Sequence, residues 1–172
     1  MKANLINSLF IDFELQLREH GYIAEKGQIV DASFVEAPRQ RNTREENATI
    51  KSGKTPESFE GNPAKKRQKD VDARWTEKNN QSHYGYKNHI SIDNKNKLIR
   101  GYEVTSAEVH DSNVLLEVLA ENTSPKVYAD SAYKSEENDR RLTAAGYDNQ
   151  IHERAYQNTP LTTSQIASNK RK

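Results

Sequence analysis

The sequence predicts an α/β protein in which a mixed sheet is flanked by helices, and three observations carry that reading. Short β-branched runs recur at 28–35, 126–130 and 149–152. Segments with helical spacing separate the later runs, which implies parallel pairing through crossover connections. Two further runs meet at Asp93-Asn94-Lys95-Asn96, whose turn chemistry implies an antiparallel hairpin.

Composition narrows the class. The chain has 172 residues, 33% hydrophobic and 30% charged, with a mean hydropathy of −1.04. That suits one domain with some length outside a packed core. With no apolar run near 18 residues, no membrane-spanning helix is predicted, and the polar start at Met1-Lys2 is no secretory signal. Absence of cysteine excludes thiolate metal sites and a disulfide framework, and suits a reducing cytoplasm. A net charge of +1 gives no global pull toward nucleic acid, so any such attraction must be local.

Each element follows from its pattern. Leu5, Leu9, Phe13 and Leu17 recur four apart and Ile6 and Phe10 widen the stripe, predicting a leading helix over 1–21 that covers a core and closes at Gly21. The run 28–35 reads as a buried strand carrying one carboxylate, Asp31. From 39 to 80 the chain turns polar and is punctuated by Gly53, Pro56, Gly61 and Pro63; over 39–78, 11 basic residues stand against 7 acidic ones, predicting a polar basic insert or mobile loop between the first and second strands. Residues 81–172 supply the rest of the core. Tyr84, Tyr86, Ile90 and Ile92 mark the first hairpin strand by period two, and Leu98, Tyr102 and Val104 share a face of the second. Asp111 is read as the N-cap of a helix burying Val114, Leu115, Val118 and Leu119. Ser135 caps another helix that Gly146 closes, and a last one begins near Thr162 or Thr163, with the chain stopping inside it.

Asp31 and Asp130 carry the chemistry. Each interrupts or ends an apolar strand, where an acid costs free energy unless compensated. On neighbouring strands they converge at one sheet edge, and two close anions require either a proton or a cation between them. Mg²⁺ or Mn²⁺ fits, because such ions need few carboxylates and keep positions for water and phosphate oxygens. Capping or hydrogen bonding of nearby loops explains each aspartate taken singly, and both readings stand at this point.

A resemblance adds to this. Gly27-Gln28-Ile29-Val30-Asp31-Ala32-Ser33, followed by Ala37-Pro38-Arg39-Gln40-Arg41-Asn42, resembles the first catalytic-aspartate segment of bacterial insertion-sequence transposases of the DDE class. Asp72-Ala73-Arg74-Trp75, His83-Tyr84-Gly85-Tyr86-Lys87-Asn88-His89 and the stretch 104–111 resemble that family's central strands, and Val127-Tyr128-Ala129-Asp130-Ser131-Ala132-Tyr133 its second catalytic-aspartate segment. The similarity is greatest to the insertion-sequence-five/four-like group. It implies a ribonuclease-H-like fold and DNA transposition: metal-dependent cleavage and strand transfer of phosphodiesters at transposon ends. It further implies Asp31 and Asp130 as catalytic residues and metal ligands, Mg²⁺ (or Mn²⁺) as cofactor, transposon ends and target DNA as partners, and a possible homo-oligomer. The setting it implies is the bacterial cytoplasm, at the nucleoid when DNA is bound. The family's third acid is a glutamate on a helix downstream; Glu136, Glu137 and Glu153 lie too early to match it. The expectation is therefore a domain truncated at both ends, with an incomplete final catalytic helix and doubtful activity alone. An inactive DNA-binding or oligomerising remnant is the alternative, and a metal-dependent nuclease without strand transfer a third reading.

Candidate DNA contacts are Lys65, Lys66, Arg67 and Lys69, which form a basic knot, with Arg74 and Trp75 nearby. A solvated charged loop is the plain explanation of that knot. Lys87 and His89 share a strand face and offer cations to a phosphate, with hairpin surface polarity as the equal alternative. The spacing of His83, His89 and His110 fits no zinc pattern. Tyr133 is read as a core residue or a base-stacking ring.

Overall fold

The computed structural model describes residues 3–37, 40–78, 80–156 and 159–172. Pro38 and Arg39 of the first motif, Asn79 of the expected insert and Met1 and Lys2 of the leading segment lie outside the described residues. Among the described residues the elements run in order α1 (Ala3–Glu19), β1 (Gln28–Glu36), α2 (Arg44–Lys51), α3 (Glu57–Glu60), α4 (Pro63–Gln68), β2 (Arg74–Lys78), β3 (Gln81–Asp93), β4 (Ile99–Ser106), a 3-10 turn (Asp111–Val114), β5 (Lys126–Ala129), a second 3-10 turn (Ser131–Tyr133), α5 (Glu136–Ala144), β6 (Asp148–Asn149) and α6 (Thr163–Asn169). The strands are hydrogen-bonded in the order β2-β3-β1-β5-β6, with β4 also pairing β3. β1 and β5 are parallel, as are β5 and β6, whereas β2 and β3 are antiparallel. This is a mixed α/β sheet flanked by helices. Two compact units divide the chain: Met1–Asp31 with Ile90–Glu103 and Asp111–Lys172, and Ala32–His89 with Val104–His110.

In the first unit, Val30, Val114, Leu115, Val118, Val127, Ala129, Leu142 and Ile151 are buried. α1 forms where the spacing predicts, and Gly21 follows it with φ +82°, a value a glycine adopts without cost. Its packing differs from expectation. Leu5, Ile6, Leu9 and Phe13 are exposed. The half-buried positions are Phe10, Glu14 and Leu17. Phe10 meets Tyr102 edge-on at 5.1 Å and Glu14 pairs with the buried Arg100. A buried guanidinium demands a carboxylate more strongly than leucines demand cover, so that pairing accompanies a helix turned away from its apolar stripe.

The helix expected after Asp111 is a single 3-10 turn followed by irregular chain. Val114, Leu115 and Val118 are nevertheless buried, with Leu119 half-buried. The carbonyls that would propagate a helix are taken by tertiary donors: the Asn138 Nδ2 donates to Ser112 O at 3.0 Å, and Ser91 Oγ donates to Val118 O at 2.5 Å. In β4, Val104 is exposed, so the face expected to be apolar is open there. α6 begins at the Thr162 cap with a full capping box to Gln165 and closes at Asn169, short of the last residue.

The second unit includes most of the stretch expected to be an insert. It is not a loop: three short helices and β2 occupy it. Glu46 organises them, accepting from Ser58 Oγ at 2.7 Å, Lys65 Nζ at 3.0 Å, Lys69 Nζ at 3.3 Å and the Thr43 N–H at 2.9 Å. Burial opposes its charge, but these four donors prevail and hold its pKa down at about 2. Polar sequence therefore folds here around an ionic centre instead of an apolar one. Ala37, Ala73 and Tyr84 form a small core with Trp75 and Tyr86 against it. Within β3, burial phase changes at Gly85 (φ +151°): Tyr84 is buried before it, and Lys87 and His89 after it. A Cβ on Gly85 would lie 2.2 Å from Val35 O, which fixes glycine at this crossing.

Candidate metal centre

Register builds the centre. Val30 of β1 pairs with Ala129 of β5 in a parallel ladder, and both side chains are buried. Side chains alternate along strands and parallel partners point to the same face, so the following residues, Asp31 and Asp130, emerge together on the opposite, open face. Both are exposed at the rim, not buried in an apolar strand as the sequence suggested. They line one open pocket of about 390 Å³ with Asn94, Tyr128, His152 and Lys172. It lies toward the carboxyl ends of the parallel strands, where open α/β sheets place their ligand sites.

Asp130 does two things at once. Its Oδ1 accepts the Ala132 N–H at 2.8 Å and caps the Ser131–Tyr133 turn, which leaves its second oxygen for the rim. The capping reading and the metal reading are thus compatible. The turn delivers Tyr133, which is 1% exposed and whose hydroxyl has no hydrogen-bond partner among the described residues. Burial, then the negative fields of Asp111, Asp31 and Asp130, push this phenol far above its ordinary pKa. A buried ring cannot stack on a base, so the core reading of Tyr133 holds. The two 3-10 turns pack together, and Asn138 ties them: its Nδ2 donates to Ser112 O at 3.0 Å and to Tyr133 O at 2.9 Å.

Neighbouring charges are already spoken for. Lys134 sits 3.0 Å from Asp139 and 3.5 Å from Glu153, and although burial opposes its charge, these acids raise its pKa. Glu153 also lies 3.6 Å from Lys172, whose Nζ donates to Ile151 O at 2.6 Å. Glu136 and Glu137 stand exposed on the first turn of α5. Among the described residues, no group of three or more His, Asp or Glu side chains is close enough together to hold a metal by itself. Two carboxylates at one rim, one keeping an oxygen uncapped, still suit a hydrated divalent ion that retains most of its waters.

The basic candidates all belong to the second unit, and most are occupied. Lys65 and Lys69 neutralise Glu46, and Lys69 also donates to Arg41 O at 2.6 Å. Arg74 donates to Val71 O at 2.7 Å and lies 3.8 Å from Glu108. Trp75 donates to Asn42 O at 2.9 Å and lies beneath the guanidinium groups of Arg41 and Arg44. Lys87 is buried, donates to Val109 O at 2.7 Å and rests over Phe34; His89 is fully buried against Thr105 Oγ1 at 2.9 Å. His83 stacks on Phe34 at 4.3 Å. Of the four basic residues in the knot, Lys66 and Arg67 are exposed and Lys65 and Lys69 are half-buried. The sequence did not point to His152, Lys172 or Asn138; only the neighbourhood of Asp130 in three dimensions marks them.

The profile of the transposase DDE domain family matches residues 24–171, and the chain belongs to that family. It is similar to the transposase for insertion sequence element IS1106 of Neisseria meningitidis serogroup B, 33% identical over 168 residues, which cover 90% of this chain and 52% of the relative. The chain thus spans about half the length of that relative. No solved structure matches. No helix among the described residues is long and apolar enough to cross a membrane.

Proposed function

We propose that this chain carries the two-aspartate part of a DDE catalytic centre in a ribonuclease-H-like fold, acting on DNA phosphodiesters at the ends of a mobile element. The single observation that supports it is that the residues following the Val30–Ala129 pair, Asp31 and Asp130, are both exposed and line one pocket. The hairpin followed by parallel β1, β5 and β6 supports the fold assignment, and the family membership supports the reaction class.

Asp31 and Asp130 would hold Mg²⁺ or Mn²⁺. When bound, such an ion supplies Lewis-acid stabilisation and an activated oxygen nucleophile. The chain's own residues do the rest. The Asp130 cap fixes that carboxylate to its turn, so its position costs little ordering when substrate arrives. His152 borders the same pocket and would offer a ring nitrogen to phosphate oxygens, whereas Lys172, on the same lining, is held by Glu153 and Ile151 O. Lys66 and Arg67 offer exposed, sequence-independent phosphate contacts.

The test is a nicking and strand-transfer assay on DNA carrying element ends, with Mg²⁺ or Mn²⁺, comparing the parent chain with Asp31→Ala and Asp130→Ala. Metal-dependent products lost in both variants are expected. Nicking that survives both substitutions overturns the metal centre, and DNA binding without any cleavage overturns the catalytic assignment.

A further inference from the structure

Lys126, Tyr128 and Asp130 occupy alternate positions along β5 and the residue that follows it, while Val127 and Ala129 between them are buried. Alternation therefore puts the lysine, the tyrosine and the aspartate on one open face. Two hollows lie along it. One is the aspartate pocket; the other, of about 470 Å³, is lined by Lys26, Lys126, Thr123 and Ser124. Asn94 and Tyr128 line both, so the second hollow adjoins the first within one unit.

Backbone contacts, not ion pairs, place the two lysines. Lys26 has φ +62° and Gly27 φ +92°. A left-handed lysine is an outlier that persists only where its surroundings over-determine it. Two asparagines do so: Asn94 Nδ2 donates to Lys26 O at 3.3 Å and the Asn94 N–H to Gly27 O at 2.8 Å. Asn122 Oδ1 accepts the Gly27 N–H at 3.0 Å and its Nδ2 donates to Gly27 O at 3.0 Å. A Cβ on Gly27 would lie 2.5 Å from Lys126 O, so glycine brings this turn directly against Lys126.

Charge separates these lysines from their neighbours. Arg18, Lys95, Arg100, Lys134, Arg141 and Lys172 of the same unit are each paired with a carboxylate. The Lys26 and Lys126 amines have no ion-pair or hydrogen-bond partner among the described residues. Glu25, on the same lining, is neutralised by Lys95 at 2.6 Å. Asp148, the ladder partner of Lys126, accepts instead from Gln150 Nε2 at 2.8 Å. Positive charge thus gathers at one end of this face and negative charge at the other.

We propose that Lys26 and Lys126 are substrate-positioning residues, gripping backbone phosphates of the DNA strand whose reacting phosphodiester lies at Asp31 and Asp130. This rests on the metal reading above. Four residues of extended chain put Lys126 roughly 13 Å from Asp130. At ~3.4 Å per nucleotide of a duplex strand, the gripped phosphates lie about four nucleotides from the reacting one. Ammonium contacts of this kind fix the register of DNA without reading its sequence.

Lys26→Gln and Lys126→Gln keep the stems and remove the charges. Fluorescence polarisation of the full 172-residue chain on element-end DNA with Mn²⁺ is expected to show weaker binding in each. The salt slope should fall in magnitude by about one unit per lysine, and Lys126→Arg should restore it. Mn²⁺ binding without DNA, followed by electron paramagnetic resonance, should match the parent in both. Single neutral methylphosphonates along the DNA should place the lost contacts about four nucleotides from the terminal phosphodiester of the element; losses spread evenly along the strand would overturn the assignment. Unchanged DNA binding and salt slope in the double variant, or no binding by the parent, would also overturn it, and Mn²⁺ lost in Asp31→Ala would then leave the aspartate pair standing. Mn²⁺ binding that survives Asp31→Ala would overturn the metal reading and this proposal with it.

Discussion

Val30 and Ala129 face one another across two parallel strands with both side chains buried, and the residue after each is an exposed aspartate. One ladder position thus fixes hydrophobic anchorage on one face and paired negative charge on the other. A slip of one residue in either strand would send one carboxylate into the core.

The double role of Asp130 can be split by substitution. Asp130→Ser retains an N-cap oxygen for the Ala132 N–H and removes the charge, so thermal stability stays within about 0.5 kcal/mol of the parent while Mn²⁺ binding is lost. Asp130→Ala loses both, at a cost of about 1 kcal/mol. Thermal melts beside a Mn²⁺ titration read the two effects separately; equal melting of the Ser and Ala variants would contradict the cap.

Glu46 makes the second unit sensitive to acid. Its pKa of about 2 in the fold lies below the ordinary 4.5, so its contribution is present above pH 4.5 and disappears as pH falls from 4.5 toward 2. The contribution is on the order of 2–3 kcal/mol. Urea unfolding between pH 6 and pH 2.5 should show this decline, and Glu46→Gln should flatten it while lowering stability at pH 7, because it leaves the largely buried Lys69 ammonium poorly compensated.

The basic knot divides by burial. Lys66→Ala and Arg67→Ala should each weaken DNA binding and reduce the magnitude of the salt slope by about one unit, with no change in melting temperature. Lys69→Ala should instead destabilise the fold, since it empties the Glu46 pair and the contact to Arg41 O. Fluorescence polarisation across salt concentrations, beside thermal melts, distinguishes them; a salt-slope change for Lys69→Ala at unaltered stability would contradict the structure.

Gly85 tolerates no side chain. An added Cβ would meet Val35 O at 2.2 Å and Ala37 N at 2.6 Å, at a φ of +151° that other residues resist. Gly85→Ala is expected to cost about 3 kcal/mol or more, measured by denaturant unfolding. Gly53→Ala, with nothing within 4 Å of the new carbon, pays only the positive-φ penalty of about 1–2 kcal/mol.

The sequence by itself determined which stretches become strand or helix at α1, β1, the β3–β4 hairpin, β5 and α5, because periodicity, Asn and Asp turns, and Ser or Thr caps act over a few residues. It also marked Asp31 and Asp130, since an acid at the end of an apolar run is conspicuous in one dimension. Only the tertiary structure decided which faces are buried. Lys87 and His89 turn inward because Val109 O and Thr105 Oγ1 await them, and the leucines of α1 turn outward while Glu14 pairs with Arg100. Nor could local pattern foretell that Asn138 would tie Ser112 O to Tyr133 O across the two 3-10 turns, or that Glu46 would gather a polar stretch into helices. Those outcomes depend on hydrogen-bond partners dozens of residues away, and a buried polar group settles wherever its partner is found.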